Sequence, residues 1–331
     1  MKLHADTNNI QSFEAKTETL NYFLGDVLNG LTKTPKFLQS KYFYDKKGDA
    51  LFQQIMGLPE YYLTRCEMDI FKNRTKDLAE VLLSGHTAFD LIELGAGDAS
   101  KSVYLLEYLN SKNKKFSYMP IDISGNILEI LNQKLAVKLP DLPVISLEGE
   151  YFEMLQKASK LSSRRKAVLF LGSNIGNMEL GEVYEFCSEL RKNLNKGDIV
   201  LVGFDLKKDP ETILKAYSDP QGITALFNLN LLERINRELS GNFKVNQFKH
   251  YQNYDPLSGA CRSYLISLED QFVSIAGERF HFEKDEILYM EVSQKFSIEN
   301  TREIARACGF TPETILLDRN KWFADAFWVA S

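Results

Sequence analysis

Two glycines and one aspartate stand at a spacing that can hold a nucleoside. Gly95 and Gly97 follow the apolar run 89–94 in AFDLIELGAGDASK, and Asp122 ends a later apolar run. Glycines let backbone N–H groups come close to a ligand, and the start of a following helix adds partial positive charge. In nucleoside-binding α/β folds, a carboxylate after the second strand accepts hydrogen bonds from the ribose hydroxyls. Asp122 has this place, although capping of the next helix, together with Ser124, is an alternative role.

Residue 100 indicates which kind of nucleoside ligand the glycine turn would bind. A dinucleotide fold uses G-x-G-x-x-G, whereas this chain has Ser100 at the position of the third glycine. S-adenosylmethionine (SAM) has no phosphate and needs only the close backbone approach and a nearby acid. The turn therefore favours SAM, with a nicotinamide enzyme and a ligand-free tight βα connection as alternatives.

Two further groups of polar residues can contact a small molecule. Tyr42, Tyr44, Tyr61 and Tyr62 surround a helical segment, and a tyrosine offers both an apolar ring and a hydroxyl. These tyrosines can line a pocket, or they can cap a core and form local hydrogen bonds. The glycine-rich turn 172–177 (GSNIGN) precedes a helix and is suited to present amides to a substrate carboxylate.

Strand and helix patterns alternate from residue 88 onward. Strands are predicted at 88–94, 116–122, 144–147, 167–171 and 198–204, and helices at 100–110, 124–137, 151–161 and 179–194. This alternation predicts a parallel sheet with helices on both faces, in which ligands bind beyond the carboxyl ends of the strands. The turns described above lie at those ends.

The residues before 88 and after 204 follow other patterns. Helices are predicted at 18–31, 48–56, from Asp209-Pro210 to about Tyr217, at 223–239 and from Ser297 to Gly309, and strands at 314–317 and 326–330. Between residues 243 and 296 short β-like runs alternate around a hairpin turn at 255–259. We expect an N-terminal helical and tyrosine-rich segment at 1–70, a nucleoside-binding core at 71–204, a β-rich insertion at 205–297 that binds the substrate, and a return to the core at 298–331.

The composition excludes several classes of protein. The chain of 331 residues is 44% hydrophobic and 26% charged, with a net charge of −5, as in soluble globular proteins. Nucleic acid and anionic membranes need concentrated Lys and Arg, so we expect neither as a partner. No apolar run resembles a signal peptide or a membrane span, and the four cysteines form no C-x-x-C pair. We expect a cytoplasmic monomer with no metal site and no hydrolytic triad.

Taken together, these segments resemble one family. The motifs are KYFYD, LPEYYLTR, IELGAGDASK, PIDIS, FLGSNIGN, DLKKDPETILKAY, TALFNLNLLERINREL and EVSQKF, spread from about Phe23 to Val329. They resemble the SAM-dependent amino-acid Nα-methyltransferases typified by the histidine methyltransferase of the ergothioneine pathway. The resemblance implies a Rossmann-like class I methyltransferase sheet with a substrate-binding insertion.

The resemblance also implies roles for particular residues. SAM would contact Gly95, Lys101, Asp122, Glu150 and Tyr151. The amino-acid substrate would contact Tyr61, Asn177, Tyr217, Glu291 and Ser293 and the turn at Gly172, and Tyr44 would lie near the reacting amine. In the family, Asn177 and Tyr217 match residues that hold the carboxylate, and Glu291 and Ser293 match the pair that faces the imidazole of histidine.

The expected reaction is methylation of the α-amino group of L-histidine, up to the trimethylated betaine. One departure keeps a second substrate open: histidine-specific relatives have a methionine in the hairpin strand that here reads ACRSYL, at 260–265. Relatives that methylate a tryptophan derivative show that this pocket can change, so another amino acid or amine is the first alternative. A SAM-binding protein without catalysis is the alternative of a different class.

Overall fold

The computed structural model describes residues 20–84 and 88–331, which form two compact units. The first, called here the hairpin unit, contains the described residues up to Tyr61 together with Asp209–Asp255 and Ala260–Val292. The second, called the core unit, contains Tyr62–Lys208, Pro256–Gly259 and Ser293–Ser331.

The strands are β1 (Lys36–Phe37), β2 (Ala88–Leu94), β3 (Lys115–Asp122), β4 (Leu147–Glu148), β5 (Arg165–Phe170), β6 (Ile199–Asp205), β7 (Phe248–Tyr254), β8 (Ala260–Ser267), β9 (Gln271–Ile275), β10 (Glu278–Phe282), β11 (Ile287–Gln294), β12 (Phe310–Leu317) and β13 (Phe323–Ala330). The helices are α1 (described over 20–31), α2 (Lys46–Gly57), α3 (Leu63–Asn73), α4 (Thr75–Leu83), α5 (Ser102–Ser111), α6 (Gly125–Lys138), α7 (Tyr151–Leu161), α8 (Leu180–Lys192), α9 (Pro210–Tyr217), α10 (Ile223–Glu238) and α11 (Ile298–Ala307). Short 3-10 helices cover Ser40–Phe43, Asn174–Asn177 and Val245–Gln247.

The core unit contains a seven-stranded sheet in the order β12-β13-β6-β5-β2-β3-β4. The strands from β6 to β4 are parallel, and β13 runs antiparallel between β6 and β12. This confirms the predicted α/β fold with a Rossmann-like class I methyltransferase sheet. The bounds of β2, β3, β5 and β6 differ from the predicted ones by no more than two residues.

Apolar residues in register form the middle of this sheet. Ile92 lies opposite Val168, and Val168 lies opposite Val200, and all three side chains are fully buried. Helices on both faces exclude water from a parallel sheet, which explains why its strands read as continuous apolar runs. Burial of that apolar surface is the main force that holds the strand ends, and therefore the turns after them, in place.

The hairpin unit contains the sheet β1-β11-β8-β7 and the separate hairpin β9-β10. Helix α1 buries Phe23, Val27 and Leu31, which are spaced at one helical turn, in a core shared with Phe227 and Leu231 of α10. The predicted helix is thus present over 20–31, while residues 18 and 19 of that prediction lie outside the described residues.

The two units divide the chain differently from the predicted domains, because residues 62–70, 205–208, 256–259 and 293–297 all belong to the core unit. Helix α3 belongs to the core unit rather than to an N-terminal segment ending at residue 70, because it packs on β13 and buries Ile70 and Phe71. The turn 256–259 also belongs to the core unit, within the predicted insertion 205–297, because Gly259 accepts a hydrogen bond from the Lys295 N–H at 2.7 Å. Among the described residues, no helix combines the length and the apolar character that a membrane span requires.

Candidate active site

The turn after β2 depends on glycine. Gly95 and Gly97 have φ angles of +70° and +53°, which favour glycine. A Cβ at Gly95 would lie 2.9 Å from the hydroxyl oxygen of Tyr151, whereas a Cβ at Gly97 would meet nothing within 4 Å. The turn is therefore open beside Gly97, while the Tyr151 hydroxyl occupies the space beside Gly95.

Asp122 at the end of β3 holds this turn. Its Oδ2 accepts a hydrogen bond from the Gly97 N–H and its Oδ1 accepts one from the Ser124 N–H, both at 3.0 Å. The side-chain cap of α6 is Ser124, whose Oγ accepts the Ile127 N–H at 3.4 Å. A carboxylate has about four lone-pair sites, so Asp122 can still accept two hydroxyl groups.

Glu150 and Tyr151 lie at the same edge of the sheet. Glu150 is the N-cap residue of α7, is exposed, and makes no side-chain capping bond. The Tyr151 ring packs edge-on against Phe170 at 5.8 Å. Desolvation, with added effects of the Asp122 and Glu150 charges, raises the pKa of Tyr151 to about 12. The Tyr151 phenol is therefore a protonated donor next to two carboxylates at neutral pH.

Lys101 has a partner that the sequence does not reveal. Its ammonium pairs with Glu67 of α3, whose side chain is only 1% exposed. The two oxygens of Glu67 also accept the Gly172 N–H, at 2.8 and 3.0 Å. The glycine at position 203 provides space for the Glu67 side chain, since a Cβ there would collide with a Glu67 oxygen. The Gly172 amide thus donates to Glu67, a buried acceptor beside it, and the expected contact of Gly172 with the substrate stays a prediction.

Two further carboxyl groups are buried in the core unit. Both oxygens of Asp325 in β13 are buried without a hydrogen-bond partner among the described residues. Burial raises the pKa of Asp325 well above its usual value, and the charge of Glu67 adds to this. Glu93 in β2 accepts a hydrogen bond from the Tyr118 hydroxyl at 2.5 Å, and burial raises its pKa to about 7. Glu93 thus belongs to the sheet interior and not to the ligand side of the glycine turn.

The turn after β5 forms the 3-10 helix Asn174–Asn177, with Asn177 exposed at its end. A Cβ at Gly176 would lie 2.8 Å from the carbonyl oxygen of Gln294, so this turn packs tightly against the last residue of β11. Ser293, in the same part of the core unit, accepts a hydrogen bond from the ammonium of Lys295 at 2.7 Å. Lys295 also pairs with Asp205 at 2.8 Å.

The hairpin unit brings three predicted substrate residues into one row of aromatic rings. The rings of Tyr44 and Tyr61 both meet Phe52 edge-on, at 5.6 and 6.3 Å, and Tyr61 meets Tyr217 at 6.2 Å. Phe227 packs against Tyr44 at 5.6 Å. Tyr44 is 45% exposed, so its ring is fixed by packing while part of it still faces outward.

Glu291 lies on β11 between the buried residues Met290 and Val292. Alternation along a strand places Glu291 on the same face as Tyr289, and both are partly exposed. Glu291 therefore belongs to the less buried face of this sheet.

The predicted SAM residues all lie in the core unit, and the structure gathers Gly95, Asp122, Glu150 and Tyr151 around one turn. The predicted substrate residues divide between the units. Tyr44, Tyr61, Tyr217 and Glu291 belong to the hairpin unit, and Gly172, Asn177 and Ser293 belong to the core unit. In residues 20–84 and 88–331 no group of three or more His, Cys, Asp or Glu side chains is arranged to hold a metal ion.

Relatives at the level of sequence cover most of the chain. A histidine N-alpha-methyltransferase from Mycolicibacterium smegmatis is 35% identical over 85% of this chain and 87% of its own length. Ergothioneine biosynthesis protein 1 from Schizosaccharomyces pombe is 30% identical over 81% of this chain and 35% of its own length. A 4-dimethylallyltryptophan N-methyltransferase from Epichloe festucae var. lolii is 24% identical over 88% of this chain and 90% of its own length.

A family model for histidine-specific, SAM-dependent methyltransferases matches residues 23–330. That match confirms an enzyme and decides against the nicotinamide and non-catalytic alternatives. The glycine turn, Asp122 and the exposed Glu150 beside Tyr151 provide the kind of open, acid-lined strand end that SAM requires. The chain belongs to the histidine-specific, SAM-dependent methyltransferase family.

Proposed function

We propose that this enzyme methylates the α-amino nitrogen of L-histidine, up to the trimethylated betaine. The observation that carries the proposal is the 35% identity to the histidine N-alpha-methyltransferase of M. smegmatis, which spans 85% of this chain. Glu291 and Ser293, the pair implied to face an imidazole, are both present.

Residues of the core unit would hold SAM. Asp122 would accept the ribose hydroxyls, Glu150 and Tyr151 would border the adenine, and Lys101 and Gly95 would complete the contacts. Bound SAM supplies a methyl group on a positively charged sulfur, which needs little acid assistance to leave. The contribution of the protein is therefore positioning, which can supply a large part of a rate enhancement.

The resemblance to the family implies how the amino acid would be oriented. Asn177 and Tyr217 would hold the carboxylate, while Glu291 and Ser293 would bind the side chain and Tyr61 would contact the substrate. Binding at both ends of the molecule aims the α-nitrogen. The nitrogen must also be unprotonated, because an ammonium group has no lone pair for attack.

Tyr44 is the proposed catalytic residue. Its hydroxyl would orient the amine or accept its proton in a relay. The ring is held by Phe52 and Phe227, which favours one fixed position for the hydroxyl. Aromatic rings of this row can also stabilise the growing alkylammonium through cation–π attraction.

Incubation of the enzyme with SAM and histidine, followed by mass spectrometry over time, tests the proposal. We expect mono-, di- and trimethylated histidine in succession, with an unchanged rate after treatment with a chelator. Absence of any methylated histidine, with another amino acid methylated in its place, would overturn the assignment of histidine.

A second substrate class is supported by one observation in the hairpin unit. Strand β8 (Ala260–Ser267) contains no methionine, and the Epichloe relative is named for a tryptophan derivative. Equal values of kcat/KM for histidine and for tryptophan analogues would favour this alternative.

The same proposal includes a cytoplasmic monomer that acts on a small molecule without a nucleic-acid or membrane partner. The net charge of −5 supports the last part of the proposal, since it gives no electrostatic reason to bind nucleic acid or an anionic membrane. Light scattering of the purified protein would show a mass near 37.9 kDa if the monomer is correct.

A further inference from the structure

The turn after β2 contains one residue in a conformation that its side chain disfavours. Gly95, Gly97 and Ala99 have φ angles of +70°, +53° and +54°. Glycine adopts this left-handed region without steric cost, whereas the Cβ of alanine makes it unfavourable. Ala99 is only 1% exposed, and its N–H donates to the Ala96 carbonyl at 3.0 Å. The turn therefore has a strained position at residue 99, which the surrounding structure must hold.

A lysine of α6 binds the residue next to this strained position. The Lys134 ammonium donates to the main-chain carbonyl of Asp98 at 2.9 Å and to its carboxylate at 3.2 Å. The other carboxylate oxygen of Asp98 accepts the Ser100 N–H at 3.0 Å. Desolvation raises the pKa of Asp98, but hydrogen bonds from Lys134 and Ser100 outweigh it and hold that pKa below its usual value. Lys134 thus binds both the main chain and a charged side chain beside Ala99.

The hydrogen bond to the main chain is the more informative of the two contacts. An ion pair between partly exposed side chains contributes little, and Lys134 and Asp98 are 29% and 46% exposed. The bond from the ammonium to the carbonyl is charge-assisted, and it fixes the orientation of the peptide group between residues 98 and 99. That orientation depends on ψ of Asp98 and φ of Ala99. Lys134 therefore acts on the strained torsion itself.

Helix α6 and the residues before it hold the turn 95–101 at two points. Asp122, which precedes the helix, accepts the Gly97 N–H at 3.0 Å. Lys134, in the third turn of the helix, binds Asp98. The range 95–101 begins and ends with a residue that is proposed to contact SAM. The path of the main chain between these two contacts is therefore set from α6.

We propose that Lys134 is a positioning residue for SAM, which holds the Asp98 carbonyl and so keeps the turn 95–101 in the shape that receives the cofactor. The inference rests on the contacts with SAM that the proposed function assigns to this turn. In this role Lys134 acts through the main chain and on no reacting atom. Its loss should therefore weaken cofactor binding and leave the rate of the bound complex unchanged.

Calorimetric titration of S-adenosylhomocysteine into wild type, Lys134→Met and Lys134→Arg tests the inference. Methionine keeps most of the side-chain length and removes the ammonium. We expect the affinity to fall about 10-fold in Lys134→Met, as for loss of a charge-assisted hydrogen bond, and to be largely kept in Lys134→Arg. Lys138→Met is the matched control, because Lys138 lies one turn later on α6 and binds Glu107 of α5 at 3.2 Å. Its affinity should match that of wild type.

A second substitution separates an effect on the turn from a general effect of charge. Ala99→Gly removes the steric penalty of the left-handed conformation. Lys134→Met/Ala99→Gly should therefore bind S-adenosylhomocysteine about threefold more tightly, or better, than Lys134→Met. Steady-state kinetics provide a readout that a purely structural role would not give. In Lys134→Met the KM for SAM should rise while kcat stays within about twofold of wild type.

An affinity of folded Lys134→Met within about twofold of wild type would overturn the inference, and so would an equal loss in Lys138→Met. A loss that Ala99→Gly does not recover would also overturn it, since the lysine would then act by its charge and not through the turn. Thermal unfolding reports whether each variant is folded. If Lys134→Met does not fold, Lys134→Gln replaces it with the same expectation.

Failure of the proposed function gives different results. The binding measurements need no amino acid, so a wild type that does not methylate histidine contradicts the proposed function alone. If the turn does not contact SAM, Asp122→Asn keeps full affinity for S-adenosylhomocysteine as well. Failure of the inference alone leaves Asp122→Asn weakened while Lys134→Met binds as wild type does.

Discussion

Lys101 and Glu67 form an ion pair in which the lysine follows the glycine turn and the carboxylate is buried in α3. The same carboxylate accepts the Gly172 N–H. The Glu67 side chain therefore connects Lys101, a residue proposed to contact SAM, with the turn after β5. Such a buried acceptor can fix a flexible lysine in a single position, which lowers the entropy lost when a ligand binds.

We predict that Glu67→Gln weakens binding of S-adenosylhomocysteine about 10-fold, because Lys101 loses its charged partner while Gln can still accept the Gly172 N–H. Calorimetric titration measures this affinity. Glu80→Gln, which removes an exposed charge on α4, is the control and should leave it unchanged. Tighter binding in Glu67→Gln would show instead that Glu67 competes with the ligand for Lys101.

Asp122→Asn should weaken S-adenosylhomocysteine binding by about 10- to 100-fold, the effect of losing hydrogen bonds to a charged acceptor. The amide also replaces one acceptor oxygen with a donor, which opposes the N–H of Gly97 or Ser124. Asp141→Asn makes the same change of charge at an exposed position. Equal affinities in the two variants would remove Asp122 from the proposed SAM site.

Tyr44→Phe should lower kcat about 10-fold or more, since loss of a general acid or base typically costs at least this much, while S-adenosylhomocysteine affinity stays unchanged. The ring contacts with Phe52 and Phe227 survive this substitution, so the fold should be preserved. Tyr251→Phe, at a half-exposed position on β7, is the control. A full methylation rate in Tyr44→Phe at every pH would rule out a catalytic hydroxyl.

Glu93 should make the protein less stable as pH rises. Burial raises the pKa of Glu93 from 4.5 to about 7, so between these values the folded state holds a proton that the unfolded state has released. The free energy of unfolding should therefore fall across this window, by an amount on the order of 1 to 3 kcal/mol. Glu93→Gln removes this titration. Denaturant unfolding at pH 4.5 and pH 7 should show the variant gaining stability relative to wild type at the higher pH, and a constant difference would contradict the raised pKa.

Local patterns were sufficient to predict the longer parallel strands of the sheet, β2, β3, β5 and β6. The run 89–94 is apolar except for Asp90 and Glu93 and is followed by Gly95 and Gly97, so its sequence alone indicates a buried strand and a tight turn. Strand β13 shows the limit, because it begins at Phe323 whereas the prediction begins at 326. Asp325 interrupts the apolar pattern, yet it is fully buried, with its pKa raised by burial.

The buried charges could not be predicted because their partners are distant in the chain. Glu67 meets Gly172 across 105 positions, and Tyr62 meets Asp205 across 143 positions. In the sequence each of these residues is an ordinary polar position. The resemblance to the family supplied the roles of Lys101 and Ser293, but not Glu67 or Lys295, which hold them in place.

The most direct test of the histidine assignment is calorimetric titration of histidine and other amino acids into the enzyme saturated with S-adenosylhomocysteine. The measurement is repeated on Glu291→Ala and on Glu278→Ala, an exposed glutamate of β10 in the same unit. We predict selective binding of histidine that is lost in Glu291→Ala and kept in Glu278→Ala. Selective binding of a different amino acid, or histidine binding that is unaffected in Glu291→Ala, would contradict the account.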